Sequence, residues 1–229
     1  MNSREIAAII LDQVDQGRKP QESINHIFKS QIIDEKDRAL ITDTVYQVLR
    51  LRGKIDYIIN SFCSNNKVEK SILNILRVAT YQILYLDRVP DWAVISEVQK
   101  AILNENKRKF ARAILEKISN FNDFKFPYKD DKKRIEYISI NYSHPIWLVE
   151  RWRKRFGDED TIKLCESNNS EGKHTLLVNT LLTDRQTLKE KLKTKRYDVE
   201  NSIFVPHGLY INKVSGLIES SEYQNGYFD

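Results

Sequence analysis

"VEKSILNILRVATYQILYL", residues 68–86, sets Ile72, Leu73, Leu76, Thr80, Ile83 and Leu84 at helical spacing, without a glycine or proline to interrupt them. The stretch predicts one long helix, and the sequence on either side follows the same period. Pro90 ends the run, and two further helices are predicted over 92–103 (Val94, Ile95, Val98, Ile102) and 107–118 (Phe110, Ala113, Ile114, Ile118). Upstream, Asn2 and Glu5 are spaced as a capping box ahead of Ile6, Ile9, Ile10 and Val14, with Gly17 as the stop. Pro20 is placed to open a second helix through Ile24, Ile27 and Phe28. Asp34 is placed to cap a third through Leu40, Ile41, Val45, Val48 and Leu49, broken at Gly53, after which "KIDYIINSF" forms another. Seven helices with short connections predict an all-α bundle.

"NFNDFKFPYKDD", 120–131, has neither period and contains Pro127, which marks a linker. Beyond it, helices are predicted over 132–141, 145–156 and 158–169, and then the period changes. "HTLLVNTLL" (174–182) has the apolar, β-branched character of a buried strand. A charged helix follows over 184–195, and "YDVENSIFVP" and "GLYINKV" alternate like strands around Gly208. The expected fold class is mainly α, an all-helical bundle followed by a small α+β domain, with domains at 1–123 and 124–229.

At 229 residues, one large or two ordinary domains fit, and 41% apolar with 30% charged residues describes a soluble globular protein. No apolar run approaches the roughly 18 residues a membrane span needs. "MNSREIAAIILDQV" reads as a helix start and not a signal peptide, so a cytoplasmic location is expected. The seven glycines form neither a G-x-G-x-x-G turn nor a phosphate loop, which argues against a nucleotide-binding α/β domain. Charge is uneven: net +3 over 1–123, +5 over 124–156 and −3 over 157–229. The positive excess is compatible with nucleic acid and equally with a solvated surface.

That excess is densest in "HPIWLVERWRKRFG", 144–157. On a helical wheel Pro145, Leu148, Val149, Trp152 and Phe156 share one arc, while Trp147, Arg151 and Lys154 share another. Packing accounts for one tryptophan. The other, with cations at i+4 and i+7, could stack on an unpaired base while the cations meet phosphates, or could pack under the neighbouring domain. A second basic group is Arg50, Arg52 and Lys54, and a third is Lys107, Arg108 and Lys109, with Arg112 beside them. Each alone is nonspecific; together they favour an RNA surface.

Catalytic candidates are poor. Cys63 and Cys165 lack a nearby histidine or metal-ligand spacing and read as structural. His144 reads as a helix-opening residue, and no acid–base pair can be assembled from His26, His174 or His207.

Several stretches carry a family resemblance. "DRALITDTVYQVLRLRGKIDYII", "ILRVATYQILYLDRVPDWAVISEVQKAI" and "KFARAILEKI" resemble the NusB-like helical domain fused to bacterial 16S rRNA cytosine-C5 methyltransferases of the Sun/Fmu group. "HPIWLVERWRKRFGDEDTIKLCESNN" and "LLVNTLLTDRQTL" resemble the RNA-recognition-like α+β segment that follows there. "SSEYQNGYFD" is similar to the last strand before the methyltransferase fold, with Tyr223, Gly226 and Phe228 in place. The resemblance spans residues 4–229. Leu177 stands where the family usually carries an arginine before Val-Asn-Thr, and Ala111 where it commonly carries valine.

The resemblance implies an RNA-binding N-terminal region of an S-adenosylmethionine-dependent enzyme. The family's cofactor site and its two catalytic cysteines, in Pro-Cys and Thr-Cys-Ser contexts, belong to a domain expected after Asp229. This chain is therefore expected to hold no catalytic residue, cofactor or metal, and to be inactive on its own. The partners implied are 16S rRNA or the small ribosomal subunit and the chain's own methyltransferase domain, with no membrane and no DNA. Two other readings stand beside it: a free-standing NusB-like RNA- or protein-binding module in antitermination or ribosome assembly, and a purely structural role for the basic groups.

Overall fold

The computed structural model describes residues 1–63, 68–87, 89–121, 131–170, 172–212, 214 and 216–229. Among them it holds eleven helices and one three-stranded antiparallel sheet. Contacts divide the chain into two compact units, 1–169 and 170–229. The sequence-derived linker falls almost wholly on 122–130, outside the described residues.

The first unit begins with α1 (Ser3–Asp15), α2 (Pro20–Ser30), α3 (Glu35–Arg50) and α4 (Arg52–Ser61). It continues with α5 (Lys70–Tyr85), α6 (Asp91–Ala101) and α7 (Glu105–Ser119). The predicted starts hold: Asn2 and Glu5 form a reciprocal capping box, Pro20 opens α2, and the Asp34 carboxylate accepts the Asp37 N–H. The stretch at 68–86 is the hub, since α5 packs against α1, α3, α4, α6 and α7. Neighbours on so many sides bury every residue from Asn74 to Gln82, polar ones included, so α5 is covered well beyond the single apolar stripe its sequence suggests.

Gly53 is not the break between helices. Leu51 makes the turn (φ −97°, ψ 13°), and Gly53 lies inside α4. The glycine permits close packing: a Cβ there would stand 3.3 Å from the Cα of Ser143, so Ser143 would have to give by a few tenths of an ångström. Ser143 belongs to the turn between α8 (Asp131–Asn141) and α9 (Ile146–Asn169), and α8 packs on α4. These two helices, assigned from sequence to the region after the linker, thus lie in the same compact unit as the bundle. Gly157 splits α9 into arms 146–156 and 158–169, as the sequence predicts, with φ 76° and ψ −177°. Only glycine adopts that backbone without strain.

The second unit carries β1 (His174–Leu177), α10 (Arg185–Thr194), β2 (Val199–Asn201), β3 (Gly208–Ile211) and α11 (Ser221–Gln224). Sheet order is β1-β3-β2, with Leu176 opposite Leu209 and Val199 opposite Ile211. These residues form a core with Leu188 and Leu192 of α10. The strands are shorter than the sequence suggests. After β1 a single bridge pairs Val178 with Phe228, and then the Asn179 side chain accepts the Leu181 N–H (3.2 Å) in a local turn that ends the strand. The strand expected over 220–229 is instead a short helix capped by Ser220, followed by residues that pair with β1. Leu177 and Asp229 exchange backbone bonds of 2.9 and 3.0 Å there. Among the described residues no helix is long and apolar enough to cross a membrane.

Candidate nucleic-acid interface

Pro145 starts the first arm of α9, its carbonyl accepting the Leu148 and Val149 N–H groups. Val149 is fully buried with Ile138 and Cys165, and Trp152 packs against this small core, its ring 5.4 Å from that of His144. His144 accordingly serves as the helix-opening residue, its Nδ1 2.6 Å from the Tyr142 carbonyl. The predicted inward arc holds for Val149 and Trp152 but not throughout. Pro145 is exposed, and Phe156 is 44% exposed because Gly157 turns the chain away before anything covers it.

The outward arc is open. Trp147 is 62% exposed, and Arg151 and Lys154 are exposed on the same face. None of the three side chains has a hydrogen bond, ion pair or ring contact among the described residues. The row from Trp147 to Lys154 covers about 10 Å of helix. Beside it, the guanidinium of Arg155 lies 5.2 Å from the centre of the Phe156 ring. Helical spacing assigns Phe156 to the core and so hides this pair; the adjacency of Arg and Phe before a glycine is the signal the sequence offers.

Apart from Arg108, the other two basic groups are engaged within the chain. Arg52 pairs with Asp15 at 2.7 Å, Lys54 donates to Asn141 Oδ1 at 2.9 Å, and Arg50 reaches the Asn169 carbonyl at 3.4 Å. Lys107 bonds Glu69 (2.6 Å) and Ser71 (3.0 Å), and Lys109 pairs with Glu105 (2.8 Å). Arg112 pairs with Glu116 (2.6 Å). Arg108 is half-buried and has no partner among the described residues. Phe110 packs against the bundle core, so these cations lie outside a packed helix as expected.

Two networks not foreseen from sequence hold the frame. Arg77, 5% exposed, bonds both oxygens of Asp56 (2.7 and 2.8 Å), and also Asp15 (3.1 Å) and Asn74 (2.8 Å). Burial alone would lower its pKa, but the two carboxylates outweigh this and hold it above the ordinary value. Burial would likewise raise Asp15, yet the Asn74 hydrogen bond and the charges of Arg52 and Arg77 leave its carboxyl below the usual range. In the second network Asp158 accepts from Arg153 and lies 2.7 Å from Arg134 Nε. The Arg153 hydrogen bond is the main reason its carboxyl sits low. These pairs tie α8 to both arms of α9.

The cysteines are poor nucleophiles. Burial and the nearby Glu166 push the Cys165 thiol up to about 11, and burial raises that of Cys63, which donates to the Ile59 carbonyl.

Comparison with known proteins places this geometry. The model of the NusB family matches residues 1–120, just over half of the chain. The chain belongs to the NusB family. A second model, the Methyltr_RsmF/B-like ferredoxin-like domain, matches residues 144–216, which is the pair of domains expected from the sequence. That match begins at the elbow before α9 and so takes in the open face. The chain is 28% identical to the probable ribosomal RNA small subunit methyltransferase B of Bacillus subtilis, over 97% of this chain and 50% of that protein. The probable methyltransferase B of Synechocystis is 24% identical over 95% of this chain and 50% of its own length. The methyltransferase B of Escherichia coli O157:H7 is 26% identical over 81% and 42%. The chain thus spans about half the length of the curated relatives it matches. The crystal structure of PH0851 shares the fold, with a TM-score of 0.63 over 100% of this chain and 53% of that one at 22% identity.

Proposed function

We propose that this NusB-family chain binds ribosomal RNA through the first arm of α9, with Trp147 stacking on an unpaired base and Arg151 and Lys154 meeting phosphates. The observation that carries the reading is the unsatisfied Trp147–Arg151–Lys154 row on a molecule that otherwise pairs most of its clustered cations. A large aromatic exposed beside free cations suits single-stranded or looped RNA, whose bases present a π-face and whose backbone supplies the anions. In a protein of its relatives' length, the chain would grip a hairpin of 16S rRNA and present one cytosine to an S-adenosylmethionine-dependent methyltransferase domain.

Among the described residues, the first strand-to-helix turn of the second unit offers that cofactor no nucleotide loop. The turn from β1 into α10, residues 178–184, contains no glycine to let backbone approach a nucleotide. On this reading the chain's own part is to hold and aim RNA.

Fluorescence anisotropy with a labelled RNA stem–loop tests the reading. Trp147→Ala is expected to weaken binding by roughly 1–3 kcal/mol. Lys154→Ala is expected to weaken it on every sequence and lower the salt slope by about one. Affinity and slope unchanged in both variants would remove α9 as the contact.

A further inference from the structure

The elbow that aims α9 is fastened to the bundle by residues of the second basic group. Lys54 donates its backbone N–H to Ser143 Oγ (2.9 Å) and its ammonium to Asn141 Oδ1 (2.9 Å). Gly53 lets the α4 backbone lie directly against Ser143, which itself adopts φ 55°, a conformation disfavoured for a residue with a Cβ. Arg50, at the end of α3, reaches the carbonyl of Asn169, whose side-chain amide donates to the Tyr142 carbonyl (2.8 Å). Ser139 and His144 close the same turn with bonds of 2.6 and 3.0 Å. Trp147 stands four residues beyond Ser143, so the direction of the open face follows from how this turn is held.

The acceptors matter. Lys54 and Arg50 bond to neutral amide oxygens, not carboxylates, so their donors are spent on location. A residue at an awkward backbone angle persists only where its surroundings over-determine it, and here the side chains of Arg50, Lys54, Ser139, Asn141 and Asn169 and the glycine do so.

We propose that Arg50, Lys54 and Asn141 are positioning residues, a latch that aims α9, and that Arg50 and Lys54 act on RNA through that helix and not by touching phosphate. The proposal rests on the RNA-binding reading of α9. A phosphate-contacting Lys54 would respond to its neighbour in the opposite sense. Removing the Asn141 acceptor would free such a lysine for RNA, whereas in a latch the same change releases the elbow.

The experiment is anisotropy of the full chain against a fluorescein-labelled RNA stem–loop over a series of KCl concentrations, with the melting temperature of each variant measured alongside. Asn141→Ala should weaken binding roughly three- to thirtyfold at unchanged salt slope. Asn141→Asp, which restores an acceptor for the ammonium, should recover most of that loss. Lys54→Met should match Asn141→Ala, and the double variant should be no worse than either alone. Asn141→Ala binding as well as or better than the wild type would overturn the latch, as would a fall of about one in the slope for Lys54→Met. If Asn141→Ala fails to fold, Gly53→Ala carries the test, since it displaces Ser143 by a few tenths of an ångström and is expected to weaken binding at constant slope. If Trp147→Ala and Arg151→Ala leave RNA binding intact, the RNA reading has failed, and the latch is judged by hydrogen exchange. Faster exchange at the amides of Lys54 and of 144–149 in Asn141→Ala would keep it, and unchanged exchange would end it.

Discussion

Arg77 on α5 and Arg151 on α9 are the same side chain in opposite circumstances. Arg77 is 5% exposed and spends its guanidinium on Asp56, Asp15 and Asn74, all inside the bundle. Arg151 is exposed on an arm where an unpaired tryptophan and lysine share its face. Positive charge along the chain does not by itself tell these uses apart, because the runs around Arg52 and Lys107 are basic as well as the one around Arg151. What separates them is whether an acceptor, carboxylate or amide oxygen, lies within bonding distance.

The largest effect should come from breaking the buried side of this comparison. Arg77→Ala leaves Asp15 and Asp56 with only the part-exposed Arg52 between them and removes the buried half of the network. It should cost about 3–5 kcal/mol in urea unfolding, with RNA affinity of the folded fraction unchanged. Arg151→Ala should do the reverse, leaving stability within about 0.5 kcal/mol while weakening RNA binding. If Arg77→Ala costs less than about 1 kcal/mol, the network is not what holds α1, α4 and α5 together.

Acid attacks the same network from the carboxylate side. Asp15 and Asp158 both have pKa values depressed in the folded chain, so they bind protons more weakly there than when unfolded. Their contribution to stability is complete above the unfolded value of about 3.9 and is lost as pH falls through the lower folded values. Both side chains are part-exposed, 30% and 21%, so the loss should be smaller than for Arg77→Ala. Unfolding curves below pH 4 should show stability dropping in the wild type, and Asp15→Asn with Asp158→Asn should flatten that drop. An unchanged slope in the double variant would mean the acid response lies in other carboxylates.

A backbone change separates aim from charge. Gly157→Ala puts a Cβ where φ is 76° and ψ −177°, with nothing within 4 Å to clash. Its whole effect is therefore conformational, about 1–3 kcal/mol. Thermal melting should register it, while the salt slope of RNA binding stays fixed because no cation is removed.

Much of this was readable beforehand, and the misses share a cause. The helix at 68–86 follows from local spacing, as do the caps at Asn2 and Asp34 and the division of labour between Trp147 and Trp152. The burial of Arg77 does not, because its acids sit on α1 and α4, and a polar residue on a helix reads as surface until those helices arrive. Gly53 reads as a helix break until Ser143 is seen against it. Phe156 reads as core by angle alone, since the wheel assumes a helix that continues, and Gly157 ends it. The strand lengths failed for a similar reason: Asn179 competes for backbone through its own side chain just where the apolar pattern runs on.

The smallest expected effect tests whether the third basic group belongs with Arg77 or with Arg151. Lys109 pairs with Glu105 at 2.8 Å one turn away, but both side chains are largely exposed, 73% and 64%. Such an i,i+4 pair stabilises a helix by only about 0.3–0.5 kcal/mol, so Lys109→Ala should scarcely move the melting temperature. A pair this weak yields easily to a phosphate, unlike the closed set around Arg77. The salt slope therefore decides its role. A slope lower by about one in Lys109→Ala would put α7 on the path of the RNA together with α9. An unchanged slope would leave Lys109 as solvated surface and confine the phosphate contacts to the first arm of α9.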